Sequence, residues 1–168
     1  MIRLLRAGDG AALAAMLARC SPATRYQRFH GVVAEFPPGY LRRCLTGEHV
    51  AMVAAEDDAV VAMASVGPVF DDPSVHEVAA IVEDRRQSKG LGRELVSALL
   101  AHAGVAVVRM EVCRTSLLGY LTSTLPVVAS THHGCDTVLD LDVRSAVEQW
   151  RQLGGDRGER GGVRVQPR

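Results

Sequence analysis

Aromatic side chains are scarce in this chain of 168 residues: they make up 4% of it, although hydrophobic residues make up 48%. A core must therefore be built mainly from Val, Leu, Ala and Met, as layered α/β folds often are. No apolar run reaches the length of a membrane-spanning helix, and nothing at the amino end resembles a secretory signal. We therefore expect a cytoplasmic protein that does not enter a membrane and is large enough to bury one core.

An excess of charge of either sign is also lacking, because 19 Lys and Arg residues balance 19 Asp and Glu residues. No global field therefore favours nucleic acid or an acidic membrane surface as a partner. The exception is local: residues 156–168 are rich in Arg and Gly and have no apolar periodicity. We expect a single domain over residues 1–153 and a flexible, solvated tail over residues 154–168.

Closely paired cysteines are absent too, since Cys20, Cys44, Cys113 and Cys135 lie far apart in the sequence. Such isolated cysteines usually act as small buried hydrophobic residues in a reducing compartment. The run His132-His133 with Cys135 could indicate a metal. Adjacent side chains of a strand diverge, however, and no second ligand pair is nearby. We expect a polar hairpin turn there and no metal.

The hydrophobic periodicity predicts the element order β-α-α-α-β-β-β-α-β-α-β-β-α. Ser21-Pro22 marks a helix start and Gly104 a helix end, whereas Asp9 can cap the first helix. The predicted strands are 2–5, 49–55, 60–66, 75–82, 105–112, 127–130 and 137–143. The predicted helices begin after Asp9 and Ser21 and then span 40–45, 90–103, 116–125 and 145–153. Antiparallel strands followed by a β-α-β crossover indicate one mixed α/β sheet.

The most informative segment is the loop from Gln87 to Gly92, which joins a hydrophobic strand to a helix. Backbone N–H groups at the helix start point at one spot, and the positive end of the helix dipole favours a phosphate there. Gly90 and Gly92 let a ligand approach the backbone closely, and Lys89 and Arg93 add positive charge. The loop matches neither a dinucleotide-binding nor a P-loop motif, and its glycines could simply permit a tight turn.

Gln87-x-x-Gly90-x-Gly92 resembles the acyl-CoA pyrophosphate motif of the GNAT acetyltransferase superfamily. The amino end, Ile2-Arg3 with Asp9 and then the segment from Ser21 to Phe29, resembles that of the bacterial Pat-like protein acetyltransferases. In that segment the sequence reads Ser-Pro-Ala-Thr-Arg-Tyr-Gln-Arg-Phe. The resemblance covers residues 2–112 and includes the predicted hairpin that follows.

The resemblance implies a mostly antiparallel mixed sheet with a splayed central strand pair and flanking helices. Backbone groups of Ile81 and Val82 would pair with the pantetheine arm of acetyl-CoA, and the N–H of Val82 would polarise the thioester oxygen. The pyrophosphate would lie on the loop and helix start. The residues implied there are Gln87, Ser88, Lys89, Gly90, Leu91, Gly92 and Arg93. The expected reaction is acetyl transfer from acetyl-CoA to a primary amine of a protein lysine or a small molecule.

Attack on a thioester needs a neutral amine, and Glu77 is the best candidate for the base that removes its proton. It lies on the face of the strand that also carries Ala79 and Ile81, and partial desolvation there would strengthen its affinity for a proton. Pat-like enzymes resemble this arrangement, with a glutamate in an Ala-Glu-Val-Ala-like strand. Alternatively Glu77 marks a solvated strand start or pairs with Arg85 or Arg86. His76 is an alternative base.

Tyr120 is the candidate general acid for the leaving thiolate, because GNAT enzymes often use a tyrosine after the fifth strand. It does not fall in register with the family pattern, where the Asn and Tyr positions read Ser116 and Ser123. This departure keeps a second function open, a CoA-binding module that regulates or scaffolds without catalysis. A homodimer formed through the closing hairpin is a further expectation.

Overall fold

One seven-stranded sheet organises the protein. The computed structural model describes residues 1–69, 72–112, 115–134 and 136–149. The strands are β1 (Ile2–Leu4), β2 (Val50–Glu56), β3 (Ala59–Pro68), β4 (His76–Val82), β5 (Val107–Val112), β6 (Val127–His133) and β7 (Asp136–Asp142). The helices are α1 (Gly10–Arg19), α2 (Pro22–Phe29), α3 (Pro38–Thr46), α4 (Leu91–Ala103) and α5 (Thr115–Thr124). Short 3-10 turns span Ala7–Asp9 and Asp84–Arg86, and residues 144–149 are helical.

The strand order is β1-β2-β3-β4-β5-β7-β6. Within the described residues, neighbouring strands are antiparallel except β4 and β5, which run parallel. The parallel pair is joined by the crossover through α4, and this confirms the predicted mixed, mostly antiparallel α/β sheet with flanking helices.

The two central strands separate after two residues. β4 pairs with β3 along its whole length, whereas it pairs with β5 only at His76↔Val108 and Glu77↔Arg109. From residue 78 onward the β5 side of β4 carries no strand partner. The splayed pair implied by the family resemblance is therefore present.

Two apolar clusters cover the two faces of the sheet. On one face α4 packs through Leu95, Leu99 and Leu100, and on the other face α1 packs through Leu13, Met16 and Leu17. The α1 cluster also contains the scarce aromatic residues Phe29, Phe36 and Tyr40. Their ring centroids lie 5.6–6.4 Å apart, so these three rings pack together on one side of the sheet. No helix within the described residues is long and apolar enough to cross a bilayer.

Several local predictions needed correction. Asp9 precedes α1, but its side chain makes no capping bond to that helix; it accepts hydrogen bonds from the Arg3 guanidinium and from Arg6 N–H instead. Ser21 caps α2 as predicted, since its Oγ accepts from Thr24 N–H. β6 continues to His133, beyond the predicted end at residue 130, because β7 pairs with it as far as the turn at Gly134.

The cysteines that the structure describes, Cys20 and Cys44, are buried and free. Burial raises the pKa of Cys20 to about 11, so this thiol stays protonated and unreactive near neutral pH. Both residues pack in the α1 cluster, which agrees with their expected role as small hydrophobic residues. Cys113, Cys135 and the whole predicted tail, residues 154–168, lie outside the described residues.

Candidate functional site

The gap between β4 and β5 exposes backbone polar groups of β4. Glu83 N–H donates across to Val61 O of β3 at 2.9 Å. Because peptide groups alternate sides along a strand, those of Ala80 and Val82 turn away from β3, toward the gap. Val82 O agrees with this orientation, since it accepts from Gln87 Nε2 at 3.0 Å. The gap therefore offers main-chain groups to an extended ligand.

Ile81 is oriented differently from its two neighbours. By the same alternation its peptide group faces Met63 of β3, and its side chain is buried in the α1 cluster. The predicted pairing of the Ile81 backbone with a ligand stays a prediction, because its peptide group faces β3 and not the gap. Ala80, which the sequence did not single out, offers such a group instead.

The loop between β4 and α4 is wound in the left-handed sense at two positions, Ser88 at φ 60° and Gly90 at φ 83°. The first bond of α4 runs from Glu94 N–H to Gly90 O at 3.0 Å. The N–H groups of Leu91, Gly92 and Arg93 precede that bond, so they have no acceptor within the helix. They form the kind of concave donor set that binds phosphate.

Gly92 lies close to the end of β4. A Cβ added there would lie 3.4 Å from Val82 Cγ2, which is an ordinary van der Waals contact, so space alone does not require glycine at this position. Gly90 is different, because nothing lies within 4 Å of an added Cβ and its positive φ is what requires glycine.

Side chains of the loop are hydrogen-bonded to the start of α2. Asp84 accepts from Ser21 N–H at 2.8 Å, from Ser21 Oγ at 2.6 Å and from Thr24 Oγ1 at 3.1 Å. Gln87 Nε2 in turn donates to Thr24 Oγ1 at 2.9 Å. The two segments that carry the family resemblance are therefore in direct contact. The Gln87 side chain supports the loop in this structure, because it is held between Thr24 and Val82.

One continuous cavity of about 890 Å³ joins the loop to the gap and to the face of β4 that carries Glu77. Its walls come from α2, α3, β3, β4, α4, β5 and α5. Among the lining residues are Arg28, Tyr40, Arg43, His49, Ser65, Glu77, Ala80, Val82, Gln87, Ser88, Gly90, Gly92, Arg93, Glu111 and Tyr120.

The two predicted catalytic residues, Glu77 and Tyr120, both line this cavity. Glu77 lies where the splay begins, and it is exposed, so the protein alone does not supply the desolvation that the sequence argument assumed. It forms no ion pair with Arg85 or Arg86, and Arg86 pairs with Glu56 instead. Tyr120 is 40% exposed on α5. Their catalytic roles stay predictions.

Lys89 and Leu91, two predicted loop residues, do not line the cavity. Lys89 is exposed, and the Leu91 side chain packs against the α4 cluster, so a ligand contact of Leu91 is limited to its N–H group. Arg93 is exposed and does line the cavity. Positive charge near the phosphate site therefore comes from Arg93 more directly than from Lys89.

His49 is a site residue that the sequence reasoning missed. Its ring lies over Gly67, where an added Cβ would be only 2.3 Å from His49 Cδ2, and Gly67 is the cross-strand partner of Glu77. Burial lowers the pKa of His49, the positive charge of Arg43 lowers it further, and Glu77 acts in the opposite direction. The imidazole is therefore mostly neutral at neutral pH. A glycine at an interior strand position was the one local signal of this close approach.

Arg28, Tyr40 and Arg43 were also not singled out as cavity residues, although Arg28 lies in the Ser21–Phe29 segment that carries the family resemblance. Arg28 Cζ lies 4.7 Å from the Phe29 ring centroid and 4.8 Å from that of Tyr40. The Tyr40 hydroxyl bonds to Ser65 Oγ at 2.8 Å, and burial raises the Tyr40 pKa, so its phenol is uncharged at neutral pH.

A separate cluster joins the end of α2 to the sheet. His30 Nε2 lies 3.3 Å from Glu111, and His30 Nδ1 lies 3.5 Å from Asp136. Candidate metal-ligand atoms of these three residues lie within 4.8 Å of one another. Each ring nitrogen faces a different carboxylate, so the imidazole bridges Glu111 and Asp136. Of the run considered from the sequence, His132 Nδ1 contacts Thr137 Oγ1 at 3.0 Å, and Cys135 lies outside the described residues.

Comparisons with known proteins agree with this architecture. The family model described as Acetyltransferase (GNAT) family matches residues 12–112. The GNAT domain of S. lividans PAT superposes with a TM-score of 0.66 at 16% identity, over 84% of this chain and 89% of that one. yncA from Salmonella typhimurium, solved with its cofactor acetyl-CoA, gives a TM-score of 0.58 at 19% identity, over 84% and 91%.

Diaminobutyrate acetyltransferase EctA from Paenibacillus lautus, in complex with its substrate and coenzyme A, gives a TM-score of 0.57 at 17% identity, over 84% of this chain and 93% of that one. A search of curated protein sequences found no match. A splayed β4–β5 pair and a donor-rich loop before α4 are the two features that the family resemblance implied for this fold. With the family match over more than half of its length, the chain belongs to the GNAT acetyltransferase family.

Proposed function

We propose that this protein is an N-acetyltransferase that moves an acetyl group from acetyl-CoA to a primary amine by direct attack. The observation that carries the proposal is the single cavity that joins the phosphate-favouring loop, the gap beside β4 and Glu77. A donor-rich loop alone would suit many phosphate compounds. Its continuity with an unpaired strand edge suits a phosphate compound with a long amide-containing arm, as acetyl-CoA is.

The main-chain groups of β4 divide the binding task. Val82 adjoins the loop, so its peptide group suits the arm near the pyrophosphate. Ala80 lies three residues from Glu77, about 10 Å along a strand, whereas Val82 lies five residues away, about 17 Å. The N–H of Ala80 is therefore better situated than that of Val82 to polarise the thioester oxygen beside the acceptor amine.

In the proposed reaction, Glu77 accepts the proton of the acceptor ammonium through a water molecule. The amine nitrogen then forms a bond to the thioester carbonyl carbon, and the carbon–sulfur bond breaks. Tyr120 gives its hydroxyl proton to the leaving thiolate, and its phenolate regains a proton through water as the nitrogen of the new amide loses its second one. His49, mostly neutral and adjacent to Glu77 across Gly67, is an alternative proton acceptor at the same place.

The test is CoA release from acetyl-CoA with a panel of lysine peptides and small amines, compared between the parent and Glu77→Gln. We expect the rate constant of Glu77→Gln to fall about a hundredfold or more, because a positioned base contributes that much. The acetyl-CoA affinity should stay unchanged. Glu148→Gln, an exposed carboxylate outside the cavity, is the matched control and should keep the parental rate.

Two outcomes would contradict parts of this proposal. A full rate of Glu77→Gln across the pH range would remove Glu77 as the base and leave His49 to be tested by His49→Gln. Tight acetyl-CoA binding without CoA release from any amine would favour the second candidate, a non-catalytic CoA-binding module. That candidate draws its support from the region after β5, where Ser116 and Ser123 replace the family residues.

The wider setting belongs to the same proposal. Residues 1–153 would form one domain followed by a flexible tail, and the protein would act in the cytoplasm without a metal or nucleic acid. A homodimer would pair through β6, which lies at the edge of the sheet and carries the exposed Val127 and Val128. Size-exclusion chromatography with light scattering tests the oligomeric state directly.

A further inference from the structure

The acceptor side of the cavity carries cationic groups for which the transfer reaction has no use. Three arginines line the cavity: Arg93 at the loop, Arg28 on α2 and Arg43 on α3. None of them forms an ion pair with a described residue, whereas Arg42, next to Arg43 but outside the cavity, pairs with Glu48. Arg93 is accounted for by the cofactor phosphates, so Arg28 and Arg43 remain to be explained.

The Arg28 guanidinium is held in place without being neutralised. It lies against two aromatic rings, 4.7 Å from the Phe29 centroid and 4.8 Å from the Tyr40 centroid. The Tyr40 ring is itself fixed through its hydroxyl contact with Ser65. Cation–π contacts restrain a guanidinium but leave it charged, and its edge can still take a carboxylate in a bidentate manner.

The surrounding ionisable groups leave this end of the cavity positive. Tyr40 is an uncharged phenol, and burial lowers the pKa of His49, so neither cancels the arginines. Two carboxylates line the cavity, Glu77 and Glu111, and Glu111 lies against His30. Glu77 is the one left to receive an ammonium group. The acceptor end thus combines one carboxylate that has no described ion pair with two guanidiniums that have none either.

We propose that Arg28 and Arg43 form an acceptor subsite for a carboxylate, so that the preferred substrate is an amine that also carries a carboxylate a few bonds away. The inference rests on the proposed transferase function and narrows its substrate class. The carboxylate binds the two guanidiniums while the amine lies toward Glu77 and the thioester. Such a subsite orients the amine and adds discrimination against neutral amines, which leave the arginines without a partner.

The experiment compares ω-amino acids of increasing chain length with their primary amides, pair by pair, as acceptors for the parent protein. A second arm compares a lysine peptide that has a neighbouring aspartate with the same peptide carrying asparagine. We expect kcat/KM for the best carboxylate acceptor to exceed that of its amide at least tenfold, with the excess reduced by added salt. The arm with the larger ratio identifies the source of the carboxylate.

Variants then assign the effect to the two arginines. Arg28→Met keeps much of the aliphatic packing against the rings, and Arg43→Gln removes a guanidinium that has no described ion pair. In both variants, the ratio of kcat/KM for the carboxylate acceptor to kcat/KM for its amide should fall toward one. The KM for acetyl-CoA and the rate with the amide should stay near the parental values. Arg42→Gln, the adjacent arginine outside the cavity, should keep the parental ratio.

Equilibrium binding separates this inference from the proposed function. The best carboxylate acceptor is titrated calorimetrically into the protein saturated with CoA, which needs no turnover. Suppose that carboxylate binding depends on Arg28 and Arg43 but no CoA is released from acetyl-CoA. This result would contradict the proposed transferase activity and support the carboxylate subsite. If the parent releases CoA but its kcat/KM is nearly equal for the carboxylate acceptor and its amide, the carboxylate subsite is contradicted and the transferase activity is supported. An equal loss of acetyl-CoA affinity in both arginine variants would assign the arginines to the cofactor instead.

Discussion

Two residues of the loop before α4 show how single backbone angles shape this end of the cavity. Ser88 and Gly90 both have positive φ, at 60° and 83°. Left-handed angles turn consecutive N–H groups toward a common point, which is the geometry of an anion-binding nest. Only glycine adopts them without a steric cost, and since an added Cβ at Gly90 would meet nothing within 4 Å, the positive φ is what requires glycine there.

Gly90→Ala should weaken acetyl-CoA binding about fivefold to tenfold and lower the stability of the protein. A left-handed angle costs an L-residue about 1–2 kcal/mol, and the loop will relax away from the donor arrangement to avoid it. Isothermal titration calorimetry and thermal unfolding measure the two effects. Gly8→Ala is the matched control, because nothing lies within 4 Å of the added Cβ and φ is not positive there. Parental affinity in Gly90→Ala would contradict the role given to this angle.

At the scale of elements, the phosphate loop depends on the start of α2. Thr24 is buried, donates to Asp84 and accepts from Gln87, so it joins two loop side chains that are 60 and 63 residues away in the sequence. The hydrogen bonds from Ser21 and Thr24 hold the pKa of Asp84 below its ordinary value, against the opposing effect of desolvation. The helix thus acts as a support for the loop and as one wall of the cavity.

Thr24→Val should loosen the loop while preserving the shape of the side chain. It leaves Asp84 and Gln87 without the hydroxyl, at a cost of about 1–2 kcal/mol in unfolding free energy. The affinity for acetyl-CoA should fall together with the unfolding free energy, and amide hydrogen exchange of residues 84–92 should become faster. Thr46→Val, on the exposed end of α3, serves as the control. If exchange in residues 84–92 were unchanged, Thr24 would not support the loop.

The ion pair between β1 and the turn before α1 predicts how stability depends on pH. Arg3 binds both oxygens of Asp9, at 2.7 and 2.9 Å, and these hydrogen bonds hold the Asp9 pKa below its ordinary value of 3.8. A carboxyl group whose pKa is lowered in the folded state contributes its full stabilisation at pH values above its ordinary pKa. The contribution is lost as the pH falls through the lowered value.

Asp9→Asn should therefore lower the unfolding free energy by about 2 kcal/mol at pH 7. The difference from the parent should persist down to about pH 4 and then shrink as the Asp9 carboxylate takes up its proton. Urea unfolding at pH 7, 5 and 3 measures it. Asp58→Asn, in the exposed turn between β2 and β3, should show no such difference. A difference that grows on acidification would refute the assignment.

At the scale of the whole molecule, the sheet is built around a gap that a ligand can fill. The β4 edge from Val78 to Val82 has no partner strand on one side, although the strand is fully paired with β3 on the other. Unpaired strand edges are costly to leave open and ready to accept an extended chain. Ligand binding should therefore stabilise the two halves of the sheet together.

Acetyl-CoA at a hundred times its Kd should raise the unfolding free energy by about 2.7 kcal/mol and the melting temperature by about 5–10 °C. Amide exchange should slow at Ala80, Val82 and residues 88–93. S-acetylpantetheine, which has the arm but lacks the phosphates, should stabilise the protein far less. Equal stabilisation by the two compounds would mean that the loop contributes little to binding.

Much of the fold could be predicted from the sequence, because its signals are local. The strand-to-helix loop with Gly90 and Gly92, the Ser21 cap and the stop at Gly104 each depend on residues a few positions apart, and each lies where it was expected. The patterns of alternation and of helical spacing identified the elements in order. Element ends were less certain, as at β6, because pairing between strands sets them.

Only the tertiary structure decided what meets at the acceptor end. Glu77, His49 and Gly67 come from β4, from the residue before β2, and from β3, so their approach depends on strand register. Arg28 gains its place against Tyr40 only because α2 and α3 pack on the same face of the sheet. The sequence by itself determined the fold family and the strand-to-helix loop that we propose as the cofactor site, since both rest on short-range patterns. The residues that would select the acceptor were set by long-range packing, which no local pattern records.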